Sequence, residues 1–149
     1  MELITQSPAL ATALKETAVM YARLGYHVFP LAPGSKKPVA ESNGLLDATT
    51  HLTTIVEWWD TSPYGNIGIA CGPSGWVVLD FDAGKPEYPA ASEEMRLQLV
   101  RNHPTLTVRT RSGGYHMIYR QQPDGDLSAR GTDEYKWTVE SQERRRLDC

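Results

Sequence analysis

Two aspartates separated by one residue close the most strand-like run in the sequence, Trp76-Val77-Val78-Leu79-Asp80-Phe81-Asp82. In an extended strand alternate residues share a face, so Val77, Leu79 and Phe81 point one way and Val78, Asp80 and Asp82 the other. The aspartate Cα atoms then lie roughly 7 Å apart, from a rise of about 3.3 Å per residue. Carboxylates so placed can converge on one or two divalent cations, and hard oxygen ligands select Mg2+ or Mn2+ over zinc. The same residues also suit a strand that runs out into a solvated acidic turn at Ala83-Gly84. The apolar run leading into the pair favours a bound partner, because ionised groups beside a buried strand need one.

A second constellation is Arg111-Ser112-Gly113-Gly114-Tyr115-His116. Two glycines let backbone approach a ligand closely, and exposed N–H groups there can form an anion-binding nest. Ser112 adds a hydroxyl, and His116 shares a strand face with Ile118 and Arg120. A plain hairpin turn followed by a surface or core histidine has the same sequence. Lys36 and Lys37 stand near the start of a loop, where lysines are usually solvated. Trp58 and Trp59 suit a core better than a stacking platform. Charge is segregated: between Glu41 and Glu94 nine acids stand against Lys85 alone, whereas Arg101 to Arg120 holds four arginines and no acid. Charge scatter explains that pattern, and so does an acidic metal cluster facing a basic strip that holds phosphates.

The elements that must position these groups follow from periodicity and punctuation. A helix is expected from Ala9 to Leu24, capped by Ser7, with Pro8 in its first turn and Gly25 ending it. Tyr26–Leu31 reads as a strand ended by the Pro33-Gly34 turn, and residues 33–50 as a loop. Thr54-Ile55-Val56-Glu57 forms a capping box that opens a short helix through Trp58 and Trp59, stopping before Pro63. Asn66–Ala70 and Trp76–Asp82 are strands, and Ser92–Arg101 a charged helix. Thr105–Thr110 and Tyr115–Arg120 form a hairpin about the glycine turn, and Tyr135–Val139 is a further strand. Helices and strands mingle throughout, so the class is α/β or α+β with a mixed sheet.

Composition agrees with one compact globular domain. The chain has 149 residues, 40% hydrophobic and 22% charged, with a formal net charge of −3. The mildly acidic balance argues against a pure nucleic-acid coat. Only Cys71 and Cys149 are present, with no CxxC, so neither a disulfide framework nor a structural zinc site is expected. No window approaches the roughly 18 apolar residues of a membrane span. The N-terminus lacks the basic and apolar regions of an export signal, so no membrane association and a cytoplasmic location are expected.

Taken in order, these motifs resemble a known family. The string runs from Gly25-Tyr26-His27-Val28-Phe29-Pro30-Leu31 and Pro33-Gly34-Ser35-Lys36-Lys37-Pro38 through Trp58-Trp59, Asn66-Ile67-Gly68-Ile69 and Val77–Asp82 to Ser112–His116. It resembles the N-terminal domain of bifunctional DNA primase/polymerases, the Prim-Pol branch of the archaeo-eukaryotic primase superfamily. The resemblance covers about residues 9–120 of a single 1–149 catalytic domain, with 121–149 divergent or truncated. It implies a primase catalytic core, an N-terminal α/β unit joined to an RRM-like unit. Asp80 and Asp82 would hold Mg2+ or Mn2+, and His116 would bind the incoming nucleotide phosphates. Ser112, Gly113, Gly114 and Arg111 would help clamp the triphosphate, and Lys36 or Lys37 would bind nucleotide or template.

The implied reaction is metal-dependent nucleotidyl transfer from a nucleoside triphosphate to a 3′-hydroxyl on a single-stranded DNA template. Such domains serve phage, plasmid and prophage replication, and the implied partner is a separately encoded replicative helicase. The family's third metal acid follows the histidine strand in an Asp-x-Arg context, before a Gly-Gly strand and a Pro-Pro-Ser turn. This chain departs from that pattern: it reads Arg130-Gly131-Thr132-Asp133-Glu134-Tyr135-Lys136-Trp137 there, with no Gly-Gly and no Pro-Pro-Ser, and Asp133 is the nearest substitute, with Glu134 behind it. A catalytically weak nucleotide- or DNA-binding remnant of the same fold is the alternative, and a different phosphoryl-transfer enzyme such as a nuclease a third.

Overall fold

The computed structural model describes residues 6–121. They divide into two compact units, one running through Ser74 and the other starting at Gly75. The expected mixture of helices and strands holds, in the form of two small antiparallel sheets, one in each unit, rather than one mixed sheet. The expected strand Tyr135–Val139 lies outside the described residues.

The first unit opens with α1, Pro8–Arg23. Ser7 accepts the Leu10 N–H through its hydroxyl at 3.2 Å, satisfying one of the free donors of the first turn. Gly25 ends the helix with φ +89°, where the Ala22 carbonyl accepts its N–H at 2.9 Å. Strand β1, His27–Leu31, pairs antiparallel with β2, Asn66–Ala70. Phe29 stands opposite Gly68, and a Cβ on Gly68 would strike the Phe29 ring at 2.6 Å. Between β1 and the next helix lies a single 3₁₀ turn, Gly44–Asp47, inside the stretch expected as loop.

Helix α2, Leu52–Thr61, starts three residues earlier than the capping box predicts. His51 occupies the cap position, and its Nδ1 lies 2.9 Å from the Thr54 hydroxyl, which removes that hydroxyl from capping duty. Ile55 and Trp59 point from α2 into a core shared with Ala18, Ala22 and Val28. Trp59 also donates its indole N–H to the Gly65 carbonyl at 3.0 Å. Trp58 is partly buried against the same cluster. The tryptophans are therefore core, as their sequence context suggests.

In the second unit, β3 (Trp76–Phe81), α3 (Ala90–Asn102), β4 (Leu106–Arg109) and β5 (Tyr115–Arg120) form a sheet in the order β3-β5-β4. The element order of this unit, among the described residues, is βαββ. Phe81 and Met117 are fully buried on one face of the sheet, with Leu79 opposite Met117 in the ladder. Helix α3 attends that face, since the Arg96 guanidinium sits 4.3 Å from the Tyr115 ring centroid and Tyr119 donates its hydroxyl to the His103 carbonyl. Asp80, His116 and Val108 alternate onto the opposite face.

Other boundaries also differ from the sequence expectation. Strand β3 ends at Phe81 because its partner β5 begins at Tyr115, leaving no ladder position for Asp82. Helix α3 begins at Ala90, ahead of Ser92, because the Pro89 carbonyl accepts the Ser92 and Glu93 N–H groups. Strand β4 stops at Arg109 because Thr110 is drawn into the hairpin turn.

Candidate active site

Register alone brings the first two candidates together. Asp80 and His116 are direct partners across β3 and β5, and His116 Nε2 lies 3.6 Å from Asp80 Oδ1. That spacing is a charge contact available to a protonated ring, longer than a hydrogen bond. Both side chains are partly open to solvent, at 20% for His116 and 32% for Asp80. On the other side of His116 stands Val108 of β4.

Asp82 lies just past the strand end, where the chain folds sharply. The Phe81 carbonyl accepts the Ala83 N–H at 2.8 Å, and the Asp82 carbonyl accepts the Lys85 N–H at 2.9 Å. Lys85 turns back to place its ammonium 2.6 Å from Asp82 Oδ2. Sequence reading passed over Lys85 as a participant, although its three-residue spacing from an aspartate in a turn is the signal. Among the described residues, no three His, Cys, Asp or Glu side chains gather into a group that would hold a metal ion. Asp133 and Glu134 lie outside the described residues.

The glycine turn is organised by Thr110. Its carbonyl accepts the Gly113 N–H at 3.0 Å and its hydroxyl accepts the Gly114 N–H at 2.9 Å. The glycine donors expected to be open to an anion are thus engaged within the turn. Ser112 Oγ lies 3.1 Å from Thr110 Oγ1, and Gly113 takes φ +90°, a conformation that side chains resist. Arg111 and Ser112 are exposed at the tip. Thr110 was not singled out from sequence; a hydroxyl residue just before a Ser-Gly-Gly turn is the feature that could have found it. Lys36 and Lys37 are exposed in the loop after β1, in the first unit.

Behind the site, Arg96 ties α3 to β5. It donates to Glu93 Oε2 at 2.9 Å and to Oε1 at 2.5 Å while covering the Tyr115 ring. Hydrogen bonding to Arg96 holds the Glu93 carboxyl below the usual carboxylate range. A depressed carboxylate stabilises the fold above its unfolded value, about 4.3, and that contribution is lost as pH falls through the folded value. Arg96→Met should therefore cost about 1 kcal/mol at pH 7, modest because the pair is part-exposed and screened. The deficit relative to wild type should shrink in urea melts at pH 3.5. An unchanged deficit would place the Arg96 contribution in packing alone.

Comparison with known families matches residues 18–147 to the family described as bifunctional DNA primase/polymerase, N-terminal. No curated protein and no solved structure matches the chain significantly. Among the described residues, no helix is long and apolar enough to cross a membrane.

Proposed function

Because this chain belongs to the bifunctional DNA primase/polymerase N-terminal family, we propose that it transfers nucleotidyl units from nucleoside triphosphates to a 3′-hydroxyl on a single-stranded DNA template. The observation that supports this most directly is the cross-strand pairing of Asp80 with His116, beside Asp82 at the strand end. We assign the reaction to replication of a phage, plasmid or prophage element, in the cytoplasm and beside a replicative helicase.

The donor chemistry at the end of β3 fits a hard divalent cation. Two partly exposed carboxylates stand two residues apart, and Asp82 already attracts a cation, the Lys85 ammonium. Asp80 and Asp82, with Asp133 as the third carboxylate, would hold Mg2+ or Mn2+, which would activate the attacking oxygen and neutralise the leaving pyrophosphate. The chain's own groups handle the triphosphate. His116 presents a ring N–H to a phosphate oxygen, Ser112 a hydroxyl, and Arg111 a guanidinium suited to paired phosphate contacts. Gly113 and Gly114 hold the turn in the shape that presents them. Lys36 or Lys37 binds nucleotide or template phosphate. A catalytically weak nucleotide-binding domain is the second reading, favoured because no three His, Cys, Asp or Glu side chains among the described residues form a group that would hold a metal ion.

Calorimetric titration tests the assignment. Asp80→Ala/Asp82→Ala should weaken Mn2+ binding by well over about tenfold, since loss of even outer-shell partners costs about 10–100-fold. His116→Ala should weaken nucleotide binding by about 10- to 100-fold, the worth of one hydrogen bond to a charged group, with the melting temperature kept. Equal Mn2+ binding by wild type and the double variant would remove the aspartates from the site. Intact nucleotide affinity with a much lower melting temperature would make His116 a structural residue.

A further inference from the structure

The turn after β3 and the turn before β5 meet backbone to backbone. A Cβ built on Gly84 would run into the Ser112 carbonyl oxygen, and would lie 2.8 Å from the Ser112 carbonyl carbon and 3.3 Å from Gly113 Cα. From the other side, a Cβ on Gly114 would collide with the Phe81 carbonyl oxygen and approach Asp82 Cα at 3.3 Å. Contact this close is open only to residues without side chains. By contrast, Gly72 has nothing within 4 Å of a Cβ. Gly84 is exposed, so its missing side chain is not forced by a crowded core. What it permits is contact between the loop that carries Asp82 and the loop that carries Ser112.

We propose that Gly84 is a positioning residue that seats the Asp82 turn against the Ser112 turn, so that the carboxylates and the phosphate-binding groups move as one body. The proposal rests on the reading of Asp80 and Asp82 as metal ligands and of Ser112 and His116 as nucleotide ligands. Each turn is already held internally, by Lys85 N–H to the Asp82 carbonyl and by Gly113 and Gly114 N–H to Thr110. The Gly84 contact adds a link between them beyond the β3–β5 ladder and the close approach of Gly114. Its consequence is energetic coupling: filling the carboxylates orders the turn that receives the triphosphate. A side chain at 84 wedges the turns apart, and a misplacement near 1 Å at a reacting centre costs about 10²-fold.

The test measures how far Mn2+ tightens nucleotide binding to the full chain. Coupling of ordinary size gives about 5- to 150-fold tightening in wild type. Gly84→Ala should bring that factor close to one while leaving Mn2+ affinity in the absence of nucleotide within about twofold; Gly72→Ala should retain the wild-type factor. Undiminished tightening in Gly84→Ala overturns the proposal. Asp80→Ala is run beside it: wild-type Mn2+ affinity in that variant would mean that the metal reading itself has failed, an outcome Gly84→Ala does not produce. Should Gly84→Ala not fold, amide hydrogen exchange in the wild-type chain decides. Mg2+ must slow exchange at Gly113 and Gly114 together with Lys85, and slowing confined to Lys85 overturns the link.

Discussion

Trp59→Ala is expected to remove about 3–5 kcal/mol of stability, the range for deleting a large aromatic from a packed core. Trp59 is 2% exposed and lies among Ala18, Ala22, Val28 and Ile55, which join α1, β1 and α2. Small alanines on α1 cannot collapse into the space that an indole leaves, so most of the cavity persists. The change also strips the Gly65 carbonyl of its 3.0 Å indole donor, worth about 1 kcal/mol. Set against a typical total of about 5–15 kcal/mol, that is a large share of the whole. Urea denaturation reads the effect directly, as a midpoint lowered by roughly 2 M for a slope of about 2 kcal/mol/M. Trp58→Ala, at a partly buried position, should cost far less. Comparable losses at the two positions would contradict the division of roles between them.

Asp80→Asn is expected to lower nucleotidyl transfer by about 10²–10³-fold, the usual cost of losing one preorganised electrostatic group from an active site. The amide keeps the shape of the carboxylate and leaves the β3–β5 ladder intact, so stability should change little. It removes the charge that a divalent cation needs and the contact with His116 at 3.6 Å. Combining it with His116→Ala should cost much less than the product of the two single losses, because groups serving one step are not additive. Single-turnover incorporation measures the chemical step without interference from product release. A drop below about threefold would take Asp80 out of the reaction.

How much of this was legible in the sequence varied with how local the cause was. The run Trp76–Phe81 identified itself by β-branched and aromatic residues, and Ser7, Pro8 and Gly25 marked the ends of α1 because caps act within a single turn. The pairing of Asp80 with His116 followed once the two strands were known to be antiparallel neighbours, but its register was set by where the Thr110–Gly114 turn ends. Asp82 was placed in the strand because alternation continues through it; the missing ladder partner beyond Tyr115 is a property of β5, far away in sequence. The same holds for the glycine N–H groups, which Thr110 occupies, and for α2, where His51 engages Thr54 ahead of the expected box. Gly84 signalled only a turn after the strand, because the reason for its close contact lies in a turn 28 residues downstream.

The most direct measurement is template-directed incorporation of labelled nucleotides by the full chain on single-stranded DNA of defined sequence, with Mn2+ and with or without an annealed primer. Proposed nucleotidyl transfer at the β3–β5 end predicts that the nucleotide complementary to each template base is added. It also predicts that product falls by about 10²-fold or more in Asp80→Asn under the same conditions. Incorporation that proceeds equally well in Asp80→Asn, or nucleotide binding by the wild-type chain with no templated product above the Asp80→Asn background, would contradict it.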